Sequence, residues 1–236
     1  MTLGTLYGIS VGPGDPELLT IKGLRRLQQA SVVAFPAGLH GKPGFAQRII
    51  ASHLQPEQLL LPLEFPFVLE MEVLSQAWQV AAKAVWAYLS QGQDVAFACE
   101  GDVSFYSTFT YLAQTLQTLY PEAQVEAVPG VCSPLAAASM AGLPITVRQE
   151  KLVVLPALYA IAELETAVQW AEVVVLMKVS SVYSQVWQVL KQHNLLTSSF
   201  VVEWATNPQQ VIHRDLQDKP DLQLPYFSLL IVQKSG

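Results

Sequence analysis

The sequence predicts an α/β protein of two α/β domains, the first on a parallel sheet and the second on a mixed or antiparallel one. Three observations carry this. Short apolar runs alternate with segments of helical spacing through the first part of the chain, a pattern that implies right-handed crossovers and parallel pairing. The 236 residues are 51% hydrophobic and only 14% charged, as expected of strands covered on both faces that read as unbroken apolar runs. Finally, three strand-like segments fall within 199–233 with short connections, which favours antiparallel pairing.

Taken in order, Leu6–Val11 is a short apolar strand running into Gly12-Pro13-Gly14-Asp15. Asp15-Pro16 reads as an N-cap followed by proline at the first helical position. Leu18, Ile21, Leu24 and Leu27 then recur at helical spacing, with Lys22, Arg25 and Arg26 between them. Ser31–Phe35 is the next strand, stopped by Pro36, and residues 36–45 form a glycine- and proline-bearing loop. Phe45–Leu54 is a weak helix and Gln58–Leu63 a third strand. A long helix covers Glu70–Gln91, with Leu74, Trp78, Ala81, Val85, Trp86 and Leu89 on one face and Gly92 placed as a C-cap. Asp94–Cys99, a fourth strand, leads directly into Glu100-Gly101-Asp102. Phe105, Phe109, Leu112, Leu116 and Leu119 mark another helix, and Gln124–Val128 is a fifth strand closed by Pro129-Gly130. A small-residue helix, Ser133–Ala141, opens the second part. Its strands read as Lys151–Leu155, Val173–Lys178, Ser199–Thr206, Gln210–Leu216 and Pro225–Gln233. The domain change falls within 130–145, giving domains 1–130 and 131–236.

Several function classes are disfavoured. The longest apolar stretches, such as Val173–Met177, are strand-length, so no membrane span is expected. The N-terminus lacks a basic region followed by an apolar one, so no export signal is expected. Cys99 and Cys132 make no disulfide framework, which points to a reducing cytoplasm. A net charge of −6 with 13 Lys plus Arg argues against a nucleic-acid partner. His40, His53, His193 and His213 have no metal-ligand spacing. Cys132 has no evident base and reads as an inert buried thiol. No serine-histidine-acid set or paired carboxylates stand out, which favours chemistry by positioning over proton shuttling.

The glycine-acid turns Gly12–Asp15 and Glu100–Asp102 both end a parallel strand and precede a helix, at the sheet edge where open α/β sheets bind ligands. Glycine there allows unusual backbone angles and close approach of a ligand to the main chain. Neither the dinucleotide fingerprint nor the P-loop lysine is present. Pro13 stiffens the first loop at the expense of an amide donor. Pro129-Gly130-Val131-Cys132-Ser133 is a third turn at the same edge. Asp15 and Asp102 read equally well as helix caps or as site acids, Asp102 for a helix beginning near Ser104. From the residues alone, Met177 at the end of an apolar strand is a core side chain.

Gly8-Ile-Ser-Val-Gly-Pro-Gly-Asp-Pro-Glu-Leu-Leu-Thr-Ile-Lys-Gly23 closely resembles the opening of the tetrapyrrole methylases of cobalamin and siroheme synthesis. Cys99-Glu-Gly-Asp-Val-Ser-Phe-Tyr-Ser-Thr-Phe109 is similar to their second motif and Val128-Pro-Gly-Val-Cys-Ser133 to their third. The form ending at Tyr111-Leu112, with Phe35-Pro36 and Leu155-Pro156-Ala157, resembles the branch that methylates C20 of precorrin-2 or its cobalt-bearing counterpart. The resemblance implies a five-stranded parallel sheet, a mixed five-stranded one, a homodimer and S-adenosyl-L-methionine as methyl donor. By position it implies that Pro13, Glu100, Gly101, Asp102, Phe105, Cys132, Ser133, Met177 and Ala205 contact that donor, so Met177 and Cys132 become lining residues. Asp15 is the acid it suggests testing for proton loss. Lys22, Arg25, Arg26, Lys42, Arg48, Arg148 and Lys178 are candidates for the carboxylates of the tetrapyrrole. Val103 stands where the second motif usually has proline, and its freer backbone implies a less rigid loop.

Overall fold

The computed structural model describes residues 2–38, 42–156 and 161–234, so His40 and Ala157 lie outside the described residues. The chain divides into two compact units, Met1–Cys132 and Ser133–Gly236.

The first unit is built on β1 (Thr5–Ser10), β2 (Val32–Pro36), β3 (Leu59–Leu63), β4 (Val95–Cys99) and β5 (Gln124–Val128). They form one sheet in the order β3-β2-β4-β1-β5, with every pair parallel. Its three inner strands carry the apolar runs: all of β4 and nearly all of β1 and β2 are buried. Edge strand β3 leaves Leu59 and Leu60 partly exposed.

Strand alternation sends Leu6 and Phe97 to one face, where they pack with Ala81 and Val85 of α3 (Met71–Leu89) and Leu112 and Leu116 of α4 (Thr108–Leu119). Each fully buried leucine, valine or phenylalanine among them contributes about 1.5–3 kcal/mol. Trp78 stacks on Tyr111 at 4.5 Å between centroids and Trp86 on Tyr120 at 4.3 Å, fixing α3 against α4. Ile9 and Val128 point the other way, toward Gly23 of α1 (Ile21–Gln29). The short α2 (Phe45–Ile50) follows β2.

Two helix starts differ from the sequence expectation. Asp15 caps only a single 3-10 turn, Pro16–Leu18, because Leu19 and Thr20 return to extended angles. The cap of α1 is instead Thr20, whose hydroxyl accepts the Gly23 amide at 3.0 Å. Likewise α4 begins at Thr108, capped by Ser107, so Asp102 does not cap it.

The second unit holds β6 (Leu152–Leu155), β7 (Val173–Met177), β8 (Ser199–Glu203), β9 (Val211–Arg214) and β10 (Ser228–Gln233), in the order β6-β7-β10-β8-β9. Only β6 and β7 pair in parallel; the other pairs are antiparallel. Val174 and Leu176 pack toward α6 (Ile161–Trp170) and α7 (Tyr183–Gln192), while Val173 and Val175 pack toward the alanines of α5 (Ser133–Met140). The sequence reading placed no helix at α6 or α7, although Val186, Trp187 and Leu190 recur at helical spacing there. Among the described residues no helix is long and apolar enough to cross a membrane.

Candidate functional site

Parallel pairing of β1, β4 and β5 brings their carboxyl ends to one edge, so the three turns noted in the sequence become neighbours. They are also bonded to one another. Gly12 and Gly101 exchange main-chain hydrogen bonds, Gly101 N to Gly12 O at 2.9 Å and Gly12 N to Gly101 O at 3.2 Å. Both glycines have positive φ, 77° and 67°, a conformation that costs a side-chain-bearing residue energy. The third turn approaches as closely: a Cβ on Gly130 would lie 2.5 Å from Ser10 Cβ.

Asp102 ties the turns together. Its Oδ2 accepts the Gly130 amide at 2.7 Å, and Oδ1 accepts the Ser104 amide at 2.8 Å and the Ser104 hydroxyl. Burial pushes this carboxyl up, but the donors from Ser104 and Gly130 outweigh it and hold its pKa below the ordinary value. Asp102 is therefore an anion engaged with protein donors.

Ser10, which the sequence reading did not single out, is fully buried at the end of β1. Its hydroxyl lies 2.7 Å from Val128 O and 3.4 Å from Asp102 Oδ2. One hydroxyl proton serves one acceptor at a time, and the shorter distance gives it to Val128. The same oxygen accepts the Val103 amide at 3.0 Å, a bond that proline could not make. Val103 thus tethers the turn to β1, which corrects the expectation of a looser loop. The signal for Ser10 was available: a hydroxyl closing an otherwise apolar strand needs a partner.

Glu100 is half-buried and reaches sideways, its Oε1 accepting the Ala46 amide of α2 at 3.2 Å. Burial raises its pKa, opposed by its own amide, the Ala46 amide and the charge of Arg48. Beneath it, Cys99 Sγ lies 2.8 Å from Ser107 Oγ, and burial pushes this thiol up to about 12. Pro13 is buried and Phe105 half-buried at this edge. Asp15 accepts the Glu17 amide at 2.8 Å. Cys132 closes the unit, half-buried and free of any disulfide.

In the second unit, Ser133 is the first residue of α5. Met177 ends β7 and Ala205 follows β8; antiparallel β10 lies between those strands, with Leu229 opposite Met177 and Ser228 opposite Glu203. Met177 and Ala205 therefore share one sheet edge. Ala205 is buried, whereas Met177 is only partly so. Lys178, Trp204 and Thr206 at this edge all have positive φ, backbone strain of the kind that gathers at functional sites.

The basic candidates separate. Lys22 and Arg26 are engaged by Glu126, at 2.6 and 3.5 Å, and Arg26 also lies over the Tyr7 ring. Arg25, Lys42, Arg48, Arg148 and Lys178 are exposed. Among the described residues no group of His, Cys, Asp and Glu could hold a metal ion.

A parallel sheet with three interlocked glycine turns at its carboxyl edge, followed in the chain by a mixed sheet, defines a two-unit α/β protein. The chain belongs to the Tetrapyrrole (Corrin/Porphyrin) Methylases, whose family profile matches residues 5–220. It is 34% identical to the precorrin-2 C(20)-methyltransferase of Sinorhizobium sp, over 98% of this chain and 95% of that protein. To the cobalt-precorrin-2 C(20)-methyltransferase of Salmonella typhimurium it is 32% identical, over 98% and 97%. Its fold is shared with a crystal structure of uroporphyrin-III C-methyl transferase from Thermus thermophilus complexed with S-adenyl homocysteine. The TM-score there is 0.70 at 22% identity, covering 98% of each chain.

Proposed function

We propose that this chain transfers a methyl group from S-adenosyl-L-methionine to C20 of precorrin-2 or its cobalt-bearing counterpart. The observation that carries this reading is similarity over nearly the whole length to two relatives named for that transfer. The interlocked glycine edge supports it independently. Paired Gly12 and Gly101 hold two turns together at positive φ, and the anionic Asp102 beside them suits a sulfonium cation.

Pro13, Glu100, Gly101, Asp102, Phe105 and Cys132 of the first unit, with Ser133, Met177 and Ala205 of the second, are the proposed cofactor contacts. At Asp102 the contact is through the main chain, because the carboxylate is taken by Ser104 and Gly130. The bound cofactor supplies an activated methyl group with its own leaving group. The residues' task is to hold an electron-rich ring carbon in line with that methyl, and such orientation provides on the order of 7–11 kcal/mol. Arg25, Lys42, Arg48, Arg148 and Lys178 are the proposed partners of the substrate carboxylates. A homodimer working in the cytoplasm completes the proposal.

The test is incubation of the pure protein with S-adenosyl-L-methionine and precorrin-2, with and without cobalt. One added methyl group by mass, placed at C20 by NMR, is the expected result. Methylation at another position, or no turnover with competent substrate, overturns the reading.

A further inference from the structure

Replacing the hydrogen on C20 by methyl must release a proton, so the proposed reaction needs an acceptor as well as alignment. Asp15 was the acid suggested by resemblance, but its carboxylate caps the Pro16–Leu18 turn. Asp102 is saturated by close donors. Glu100 differs in its setting: it is half-buried and reaches α2 rather than bracing its own turn. It follows the central strand β4 at the carboxyl edge of the sheet, immediately before Gly101, whose main chain is paired with Gly12. Its donors among the described residues are the Ala46 amide at 3.2 Å and its own amide.

We infer that the Glu100 carboxylate is the base that takes the C20 proton. This deepens the methyltransferase reading and rests on it. The electron pair of C20 forms the carbon–methyl bond as the sulfur–methyl bond breaks, its pair staying on sulfur. The C20–H bond then breaks, its electrons return to the macrocycle, and the proton passes to Glu100 and on to water. Burial makes Glu100 a stronger base than an ordinary glutamate. The groups around it are consistent with this. Arg48 on α2 opposes the shift without cancelling it, Cys99 is neutral with its thiol near 12, and Asp102 stays anionic.

The experiment uses Glu100→Gln, which keeps an acceptor for Ala46 but loses basicity. First, precorrin-2 is incubated in heavy water without the methyl donor. Exchange of the C20 hydrogen for deuterium, followed by NMR, reports proton transfer alone. The wild type is expected to accelerate it, and Glu100→Gln to fall back by about 10²-fold or more. The variant's melting temperature stays within about 2 °C of the wild type's, verifying that the fold is intact. Second, single-turnover formation of the deprotonated C20-methyl product by the wild type should lose rate as pH falls, through a group titrating above the ordinary glutamate value of about 4.3. A Gln variant that exchanges and methylates like the wild type overturns the role of Glu100. So does a wild type that methylates C20 without accelerating exchange. A wild type that neither binds the donor nor methylates overturns the underlying reading instead.

Discussion

Asp102→Asn changes one atom and almost no volume, yet the bonding around the carboxylate makes it costly. Two main-chain amides, Gly130 N at 2.7 Å and Ser104 N at 2.8 Å, point at opposite oxygens. An amide group has one acceptor oxygen, so one of these donors must face an NH2. The less damaging orientation puts nitrogen beside Ser104, whose hydroxyl can turn to accept. The Ser104 amide then loses its partner, at about 1–3 kcal/mol, and the bond to Gly130 loses its charge assistance, at about 1 kcal/mol. The sum, about 2–4 kcal/mol, corresponds to roughly 10²-fold in a local opening equilibrium.

Hydrogen exchange reads this locally: the Ser104 amide should exchange about 10²-fold faster in the variant, while amides of α7 in the other unit are unchanged. The acid response gives a second check. The native carboxyl is held below its ordinary value, so its contribution is complete above the unfolded value of about 3.9 and is lost as pH falls through the native one. The variant lacks that acid-dependent term. Unchanged exchange at Ser104 and Gly130, with unchanged acid unfolding, would refute the assignment of Asp102 as the tie between turns.

Three other outcomes follow from the same edge. Gly101→Val should abolish binding of S-adenosyl-L-methionine in calorimetry, because a β-branched residue at φ 67° is strained and its side chain fills the approach to the main chain; retained affinity would make the turn a plain connection. Val103→Pro deletes the donor to Ser10, and should lower the melting temperature by about 2–4 °C for a net loss near 1 kcal/mol; an equal or higher melting point would show that proline stiffening outweighs the tether. Cys99, with its thiol near 12, should resist iodoacetamide at pH 8 in the folded protein and label fully once unfolded, as judged by mass spectrometry.

Which turns form the edge was legible in the sequence, because strand–turn–helix order fixes where a parallel strand's carboxyl end lies. Gly12, Gly101 and Gly130 all stand where that order put them. The antiparallel character of β8, β9 and β10 was likewise written in their short connections. By contrast, the helical spacing of Val186, Trp187 and Leu190 at α7 is short and lies between strongly apolar strands, so the sequence pattern alone marks the strands more clearly than the helix. The split of the first helix was hidden too: Leu18 keeps helical spacing, but Leu19 and Thr20 are extended, so Asp15 caps one short turn and Thr20 caps a separate helix.

The sequence by itself determined the α/β class, the three glycine turns and the family that they mark, because these depend on order along the chain. Only the tertiary structure decided what the acids in those turns do. Asp102 and Gly130 lie 28 residues apart in sequence and 2.7 Å apart in space. Ser10 meets Val103 across a separation of 93 residues. Such pairings follow from the stacking of β4, β1 and β5, which no local pattern encodes. It is that stacking which turns Asp102 into a tie and sets Glu100 against α2, whereas the cap at Asp15 is made two residues along the chain and was legible in the sequence.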